Sequence, residues 1–226
     1  MATRSTPLPR HVLVTGGTGY IGRRLIARLV ERGHRVRVLA RAASVDRVPR
    51  GALAVVGDAL DADSILNALR DGDTLVHLVG TPHPTPSKAA EFTRVDLASA
   101  LAATDAARRR AIAQMIYVSV AQPAPAMRAY VAARATGEAA IREAALTATI
   151  LRPWYVLGPG HWWPLVLLPM YAVAQLVPPF RDGARRLGLV TLNAMVTALV
   201  ASVETPPSRG TIATVDVPGI RSARLV

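Results

Sequence analysis

Short apolar runs alternate along the chain with longer segments whose apolar residues recur at every third or fourth position. The runs His11–Thr15 (HVLVT), Arg35–Ala40 (RVRVLA), 52–56, 74–79 (TLVHLV), 115–120, 147–151 and 211–217 are rich in Val, Ile and Leu. Their length and composition predict strands. Between the first two, residues 20–32 carry Ile21, Leu25, Ile26, Leu29 and Val30 on one face, with Gly33 just past the end. That is a helix with a glycine C-cap. Helices are also predicted over 63–70, 89–111 (dense in Ala) and 127–144. Thr191 caps a further one, in which Leu192, Met195, Val196, Leu199, Val200 and Val203 follow the helical period.

Strands that alternate with helices predict an α/β fold: a doubly wound parallel sheet covered on both faces. The character of the chain changes near Arg152-Pro153. This divides it into an N-terminal tail (1–10), a doubly wound body (11–152) and a small, apolar, Pro-rich C-terminal lobe (153–226) that completes the fold.

Composition narrows the chemistry. The 226 residues are 51% hydrophobic and 19% charged, a globular balance with enough chain for a sizeable core. Cysteine is absent, which excludes disulfides, thiol catalysis and cysteine-ligated metal centres. The histidines at 11, 34, 77, 83 and 161 are scattered, and no metal site is expected. The net charge is +12, and among 27 basic residues only Lys88 is lysine. A basic balance fits nucleic acid or anionic membrane. Here, however, the arginines are spread out, and no aromatic residues are interleaved with them. No nucleic-acid partner is expected; such a role would show a steep salt dependence. Met1 to Arg10 has no apolar core of a signal peptide, so a soluble, cytoplasmic protein is expected. The most apolar stretch, 162–180 (from Trp162 to Phe180), is broken by four prolines and is too short between them to span a bilayer.

The chemistry enters with Gly16, Gly17, Thr18, Gly19, Tyr20, Ile21 and Gly22, which follow a strand and open a helix. A tight turn, a close approach to a diphosphate and close helix–strand packing each need a residue without Cβ. The helix N-terminus then offers free N–H groups to phosphate. In this strand–turn–helix context the pattern predicts a Rossmann dinucleotide-binding body. The end of the second strand selects the nucleotide. An acid there would bind a ribose 2′-hydroxyl, but this chain reads Leu39-Ala40-Arg41 and has no acid before Asp46. Arg41 suits a 2′-phosphate, with Arg23 close by, so NADP(H) is expected ahead of NAD(H). Asp58, followed by Ala59, is placed either to meet an adenine amino group or to serve as a strand-end turn residue.

Together these motifs resemble the short-chain dehydrogenase/reductase superfamily, in its extended and atypical branches. Those include epimerase/dehydratase-like enzymes, NmrA-like NADP sensors and the NADPH-binding accessory subunit of respiratory complex I. The resemblance rests on TGGTGYIG at 15–22, Gly57-Asp58, Val79-Gly80-Thr81, Val95-Asp96, YVS at 117–119, Tyr130 with Glu138, and LRPWYVLGPG at 151–160. It implies cofactor contacts from Val79, Gly80, Thr81 and Pro153. It also implies a catalytic Tyr with a Lys four residues on, and a Ser at the end of the fifth strand. Tyr130 keeps the first position, but Arg134 stands where Lys is usual, and Ser119-Val120 where a second Ser is usual. The catalytic candidates are therefore Tyr130, Arg134 and Ser119. Each has a plainer alternative: Tyr130 packing on the cofactor pocket, Arg134 pairing with Glu138 one helical turn away, Ser119 a structural group. His83 is a further polar candidate, and Trp154 and Tyr155 are expected near the nicotinamide.

The resemblance and the apolar lobe imply an oxidoreductase acting on a small apolar carbonyl compound or quinone. A non-catalytic NADP(H)-binding sensor or accessory subunit is the second reading. Residues 162–180, followed by Arg181, Arg185 and Arg186, are a candidate lid, core or contact surface for a membrane, a protein or a second copy.

Overall fold

The computed structural model describes residues 8–124, 126–160 and 187–225. The expectations placed on 162–180, on His161 and on Arg181, Arg185 and Arg186 lie outside them. Seven strands form one parallel sheet. They are β1 (His11–Thr15), β2 (Arg35–Ala40), β3 (Leu53–Val56), β4 (Thr74–His77), β5 (Gln114–Val118), β6 (Ala148–Arg152) and β9 (Ile212–Asp216). The order is β3-β2-β1-β4-β5-β6-β9. β7 (Tyr155–Leu157) and β8 (Leu189–Thr191) make a separate parallel pair. Strand order reverses between β1 and β4, and at such a switch point the loops diverge and leave a crevice at the carboxyl ends of the strands. Register aligns those ends: Thr15 lies opposite His77, and His77 opposite Tyr117.

Successive strand residues point to opposite faces, so each buried strand contributes to two cores. On one face Val12, Val14, Val36 and Val38 pack against Leu25, Ile26 and Leu29 of α1 (Tyr20–Glu31) and Met195, Leu199 and Val203 of a C-terminal helix, Leu192–Glu204. On the other, Leu13, Leu75, Met115, Tyr117 and Ile150 pack against α2 (Ala62–Ala68) and a long Ala-rich helical segment. That segment comprises α3 (Ala89–Glu91), a π-helical turn (Phe92–Leu97) and α4 (Ala98–Arg109). The buried Ala100, Ala103, Ala106 and Ala107 let α4 lie close to the sheet. α5 (Arg128–Glu143) follows on the same face, and α6 (Leu192–Glu204) and α7 (Val217–Ser222) on the first.

Strand–helix alternation predicts the order of the main elements; the differences are at their ends and in β7, β8 and α7, which the pattern does not predict. β4 and β5 finish two residues before the apolar runs do, so Leu78-Val79 and Ser119-Val120 belong to the loops over the crevice. The helix expected over 89–111 is continuous but carries the π-helical turn, which buries both Phe92 and Asp96. Helical period alone does not reveal it. The last strand stops at Asp216, which is the N-cap of α7, with Pro218 in the first turn of that helix. The lobe is tied to the body: β9 joins the main sheet beside β6, and α6 packs on α1. Thr191 caps α6 by accepting the Ala194 N–H at 3.1 Å. No helix among the described residues is long and apolar enough to cross a membrane.

Candidate functional site

The glycine turn closes the carboxyl end of β1. Gly16 has φ +74°, and a Cβ there would lie 2.8 Å from the Val79 nitrogen, so the turn sits directly on the loop after β4. A Cβ at Gly22 would stand 2.6 Å from the Gly16 carbonyl oxygen and the Gly17 Cα. Backbone cannot give way there, so α1 approaches the turn only because Gly22 has no side chain. Gly17 is buried, Thr18 and Ile21 are half-buried, and Gly19 is exposed. α1 begins at Gly19 without a side-chain cap and without an acid in its first turn. Its leading N–H groups thus have no side-chain acceptor, which fits a dinucleotide diphosphate. The Tyr20 ring turns elsewhere: its hydroxyl sits where a Cβ on Gly158 would collide with it. Tyr20 therefore packs α1 against the segment that follows β7.

Along the rim, Arg41 is exposed immediately after β2 and leads into a 3-10 turn, Ala42–Arg47. Asp58 is exposed after β3, and its carboxylate accepts the Leu60 N–H at 2.9 Å. This is the turn role, with a second oxygen left over for a ligand. Ala59 packs inward.

The wall after β4 is built around a buried ion pair that the sequence does not announce. Val79 and Gly80 are half-buried, and Thr81 is buried. Thr81 donates from its backbone N–H (3.0 Å) and its hydroxyl (2.6 Å) to one oxygen of Asp96. The other oxygen takes Arg134 Nη2 at 2.6 Å. Arg134 also donates to the carbonyls of Val118 (3.0 Å) and Val79 (3.3 Å). The pair is closed to solvent, with side-chain exposures of 6% for Arg134 and 0% for Asp96. Burial opposes the guanidinium charge, but the neighbouring Tyr130, Tyr117 and Asp96 outweigh it and raise its pKa. The alternative pairing with Glu138 is overturned: Arg134 bonds Asp96, 38 residues away.

Behind this pair lies His77, also unforeseen. Its Nδ1 meets the Thr15 hydroxyl at 2.8 Å, its Nε2 meets the Ser99 hydroxyl at 3.2 Å, and its ring stacks on Tyr117. Burial, helped by the charge of Arg134, lowers its pKa from 6.5 to about 3. It is a neutral strut between the glycine turn and α4.

Tyr130 stands on the first turn of α5, half-buried. Its ring contacts Phe92, with centroids 5.1 Å apart, and the Arg134 guanidinium carbon lies 5.3 Å from its centroid. Ser119 faces away from this pair, and its hydroxyl donates to Glu138 at 2.6 Å. Glu138 also accepts from Gln122, Arg142 and Arg152. Burial would raise the Glu138 carboxyl, but the bonds from Arg152 and Ser119 outweigh it and hold it below the ordinary carboxylate value. This network ties the ends of β5 and β6 to α5. Val120 is buried, and Pro153 accepts the Ala121 N–H through its carbonyl at 2.9 Å. Trp154 and Tyr155 pack on each other, edge to face. His83 is exposed in the Pro-rich loop.

Comparison with known proteins agrees with this geometry. Residues 12–211 match the model of the NAD dependent epimerase/dehydratase family. The ceramide reductase of Caulobacter vibrioides is 31% identical over 197 residues, 86% of this chain. The chain spans 61% of that relative's length. The 3-diazoavenalumate denitrifying reductase of a Streptomyces species is 30% identical over 220 residues, 85% of this chain and 72% of the relative. Among solved structures, a UDP-galactose 4-epimerase superposes with a TM-score of 0.67 at 20% identity, covering 91% of this chain and 76% of its own. With a sheet reversing at β1/β4, a glycine turn that opens α1 and a family match over most of its length, the chain belongs to the NAD dependent epimerase/dehydratase family.

Proposed function

We propose that the chain is an NADP(H)-dependent reductase of a small, lipophilic carbonyl compound, with Tyr130 as proton donor. The observation that carries this is the placement of Tyr130 beside a permanent cation. Of the two hydroxyl candidates for catalysis, Ser119 is committed to Glu138, which leaves Tyr130. Bound nicotinamide would supply hydride to the substrate carbon. The Tyr130 hydroxyl gives the oxygen its proton, and Arg134, fixed by Asp96, stabilises the negative charge left on the phenol. Ser119 is bonded to Glu138 and Val120 has no hydroxyl, so the substrate oxygen is oriented by Tyr130 without a second donor. Trp154 and Tyr155, half-buried just after β6, would present apolar surface to a substrate, which suits a ketone or quinone better than a nucleotide sugar. The name of the ceramide reductase supports a lipophilic substrate. A small molecule is the partner; no nucleic acid takes part.

Tyr130→Phe is expected to lower NADPH-dependent reduction of long-chain ketones or naphthoquinones by about a hundredfold or more, with NADPH affinity unchanged. Calorimetric titration beside a turnover assay reads both. Full turnover in the variant would end the assignment. If wild type binds NADPH but turns over none of these compounds, the second reading, a non-catalytic NADP(H)-binding protein, takes its place; the missing second hydroxyl at Val120 favours it. Arg41 is assigned to the 2′-phosphate. Arg41→Ala should weaken NADPH by roughly tenfold or more and leave NADH within about twofold. Equal losses for both nucleotides would remove that assignment.

A further inference from the structure

A cavity of about 520 Å³, open to solvent, lies beside the first turn of α5. Arg128, Val131 and Ala132 share one face of that helix by their i, i+3 and i+4 spacing, and they form one wall. Tyr130 takes no part in it and packs on Phe92 instead. The loop after β5, with Gln122, Pro123 and Ala124, forms a second wall, and Arg152 at the end of β6 forms the third. The size is that of a small-molecule pocket, and apolar surface is combined with a few polar groups, as such pockets require.

The charges around this cavity do not cancel. Glu138 pairs with Arg142 and Arg152, and Asp216 lies in register with Arg152 on the neighbouring strand. Two carboxylates therefore stand against two arginines. Arg128 is a third, exposed, and its side chain has no ion-pair or hydrogen-bond partner among the described residues. Arg152 gives Nε and Nη2 to Glu138, while its Nη1 bonds no protein acceptor among the described residues. One positive charge is thus left over, and guanidinium N–H groups from two elements stand beside Pro123, Ala124, Val131 and Ala132.

We infer that this cavity is a second binding site, outside the reaction crevice, for small monocarboxylates carrying a short apolar body. A carboxylate fits the planar fork of a guanidinium and balances the single excess charge. The apolar body covers Val131, Ala132 and Pro123 and is removed from water there. A phosphate dianion would bring more charge than the walls balance, and Glu138 stands close to it. An uncharged ligand would leave the guanidinium groups without an acceptor. The inference does not depend on the reductase assignment.

Calorimetric titration of the intact protein with hexanoate tests it, with acetate, hexanol and inorganic phosphate as comparison probes. Hexanoate is expected to bind at about 1 mM or tighter, and each other probe at least about tenfold more weakly. Arg128→Gln removes the excess charge, and Ala132→Trp fills the cavity. Both positions are exposed, so both variants should fold. Each should weaken hexanoate by about tenfold or more. Undiminished affinity in either variant would place the ligand elsewhere and overturn the inference. Hexanol binding as tightly as hexanoate would show an apolar contact only, and phosphate binding as tightly would remove the carboxylate class. No heat of binding with hexanoate up to about 10 mM would also end it.

Discussion

Asp96→Ala should destabilise the protein by about 3–5 kcal/mol, the usual cost of removing one partner from a buried ion pair. The loss exceeds that of a surface bridge because Arg134 stays charged, enclosed and without its carboxylate, while Thr81 loses an acceptor for two donors. Asp96→Asn should cost less: its carbonyl oxygen still accepts from one side, although its amide then faces a donor on the other. Removing both charges in Asp96→Ala/Arg134→Met should recover part of the loss, since no buried charge is then left uncompensated, although Thr81 still lacks its acceptor and the Val79 and Val118 carbonyls lose their donor. Urea unfolding of the three variants at neutral pH measures this. A single-variant loss below about 1 kcal/mol would mean that water reaches the pair in solution.

Acid should weaken the fold well above the range of its carboxylates, and His77 is the reason. Its folded pKa of about 3 lies below the unfolded value of 6.5, so the unfolded chain takes up the proton first. The associated stability is fully present above pH 6.5 and is lost as the pH falls toward 3. The whole shift corresponds to roughly 5 kcal/mol, with about 3 kcal/mol gone by pH 4. Glu138, held below its ordinary value, adds a loss of the same sign at lower pH. His77→Asn should flatten the limb between pH 6.5 and about 4, at a cost in stability at neutral pH from the altered bonds to Thr15 and Ser99. Unfolding free energies measured across that interval decide it: an unchanged slope in His77→Asn would show that other groups carry the acid sensitivity.

The two effects share one location. Thr15, His77 and Tyr117 lie side by side at the ends of β1, β4 and β5, and Asp96 and Arg134 close over them. The floor of the crevice is a bonded polar layer between the glycine turn and α5. Such a layer is sensitive because losing one bonded member strands another. This is how the sheet holds the first turn of α5, and Tyr130 with it, in a fixed place over the switch point.

Much of this is legible in the sequence, for identifiable reasons. Apolar periodicity reports which face of an element is buried, so the strands and helices appear in their correct order. The glycines at 16 and 22 are legible because Gly16 takes a positive φ in the turn and Gly22 meets the backbone of Gly16 and Gly17, both local constraints. Strand ends are misplaced by about two residues on the same criterion, because Leu78, Val79 and Val120 are as apolar as a strand while serving a loop. The π-helical turn leaves no mark on the pattern, since it shifts the helix by one residue without changing its composition.

Pairing is what the pattern does not contain. From spacing, Arg134 and Glu138 look like partners on one helix. In the fold they face different neighbours: Arg134 turns to Asp96 and Glu138 gathers Ser119, Arg142 and Arg152. Along the chain His77 is one more scattered histidine, yet two strands and a helix enclose it. The sheet and the glycine turn follow from the order of residues alone, because they depend on local period and on a strand–turn–helix context; the candidate tyrosine follows from the resemblance to a family. Which charges are buried together, and which hydroxyls are already bonded, emerges only when the chain is folded. Those features depend on contacts between residues tens of positions apart, and the energy of a buried charge is set by the partner that happens to face it.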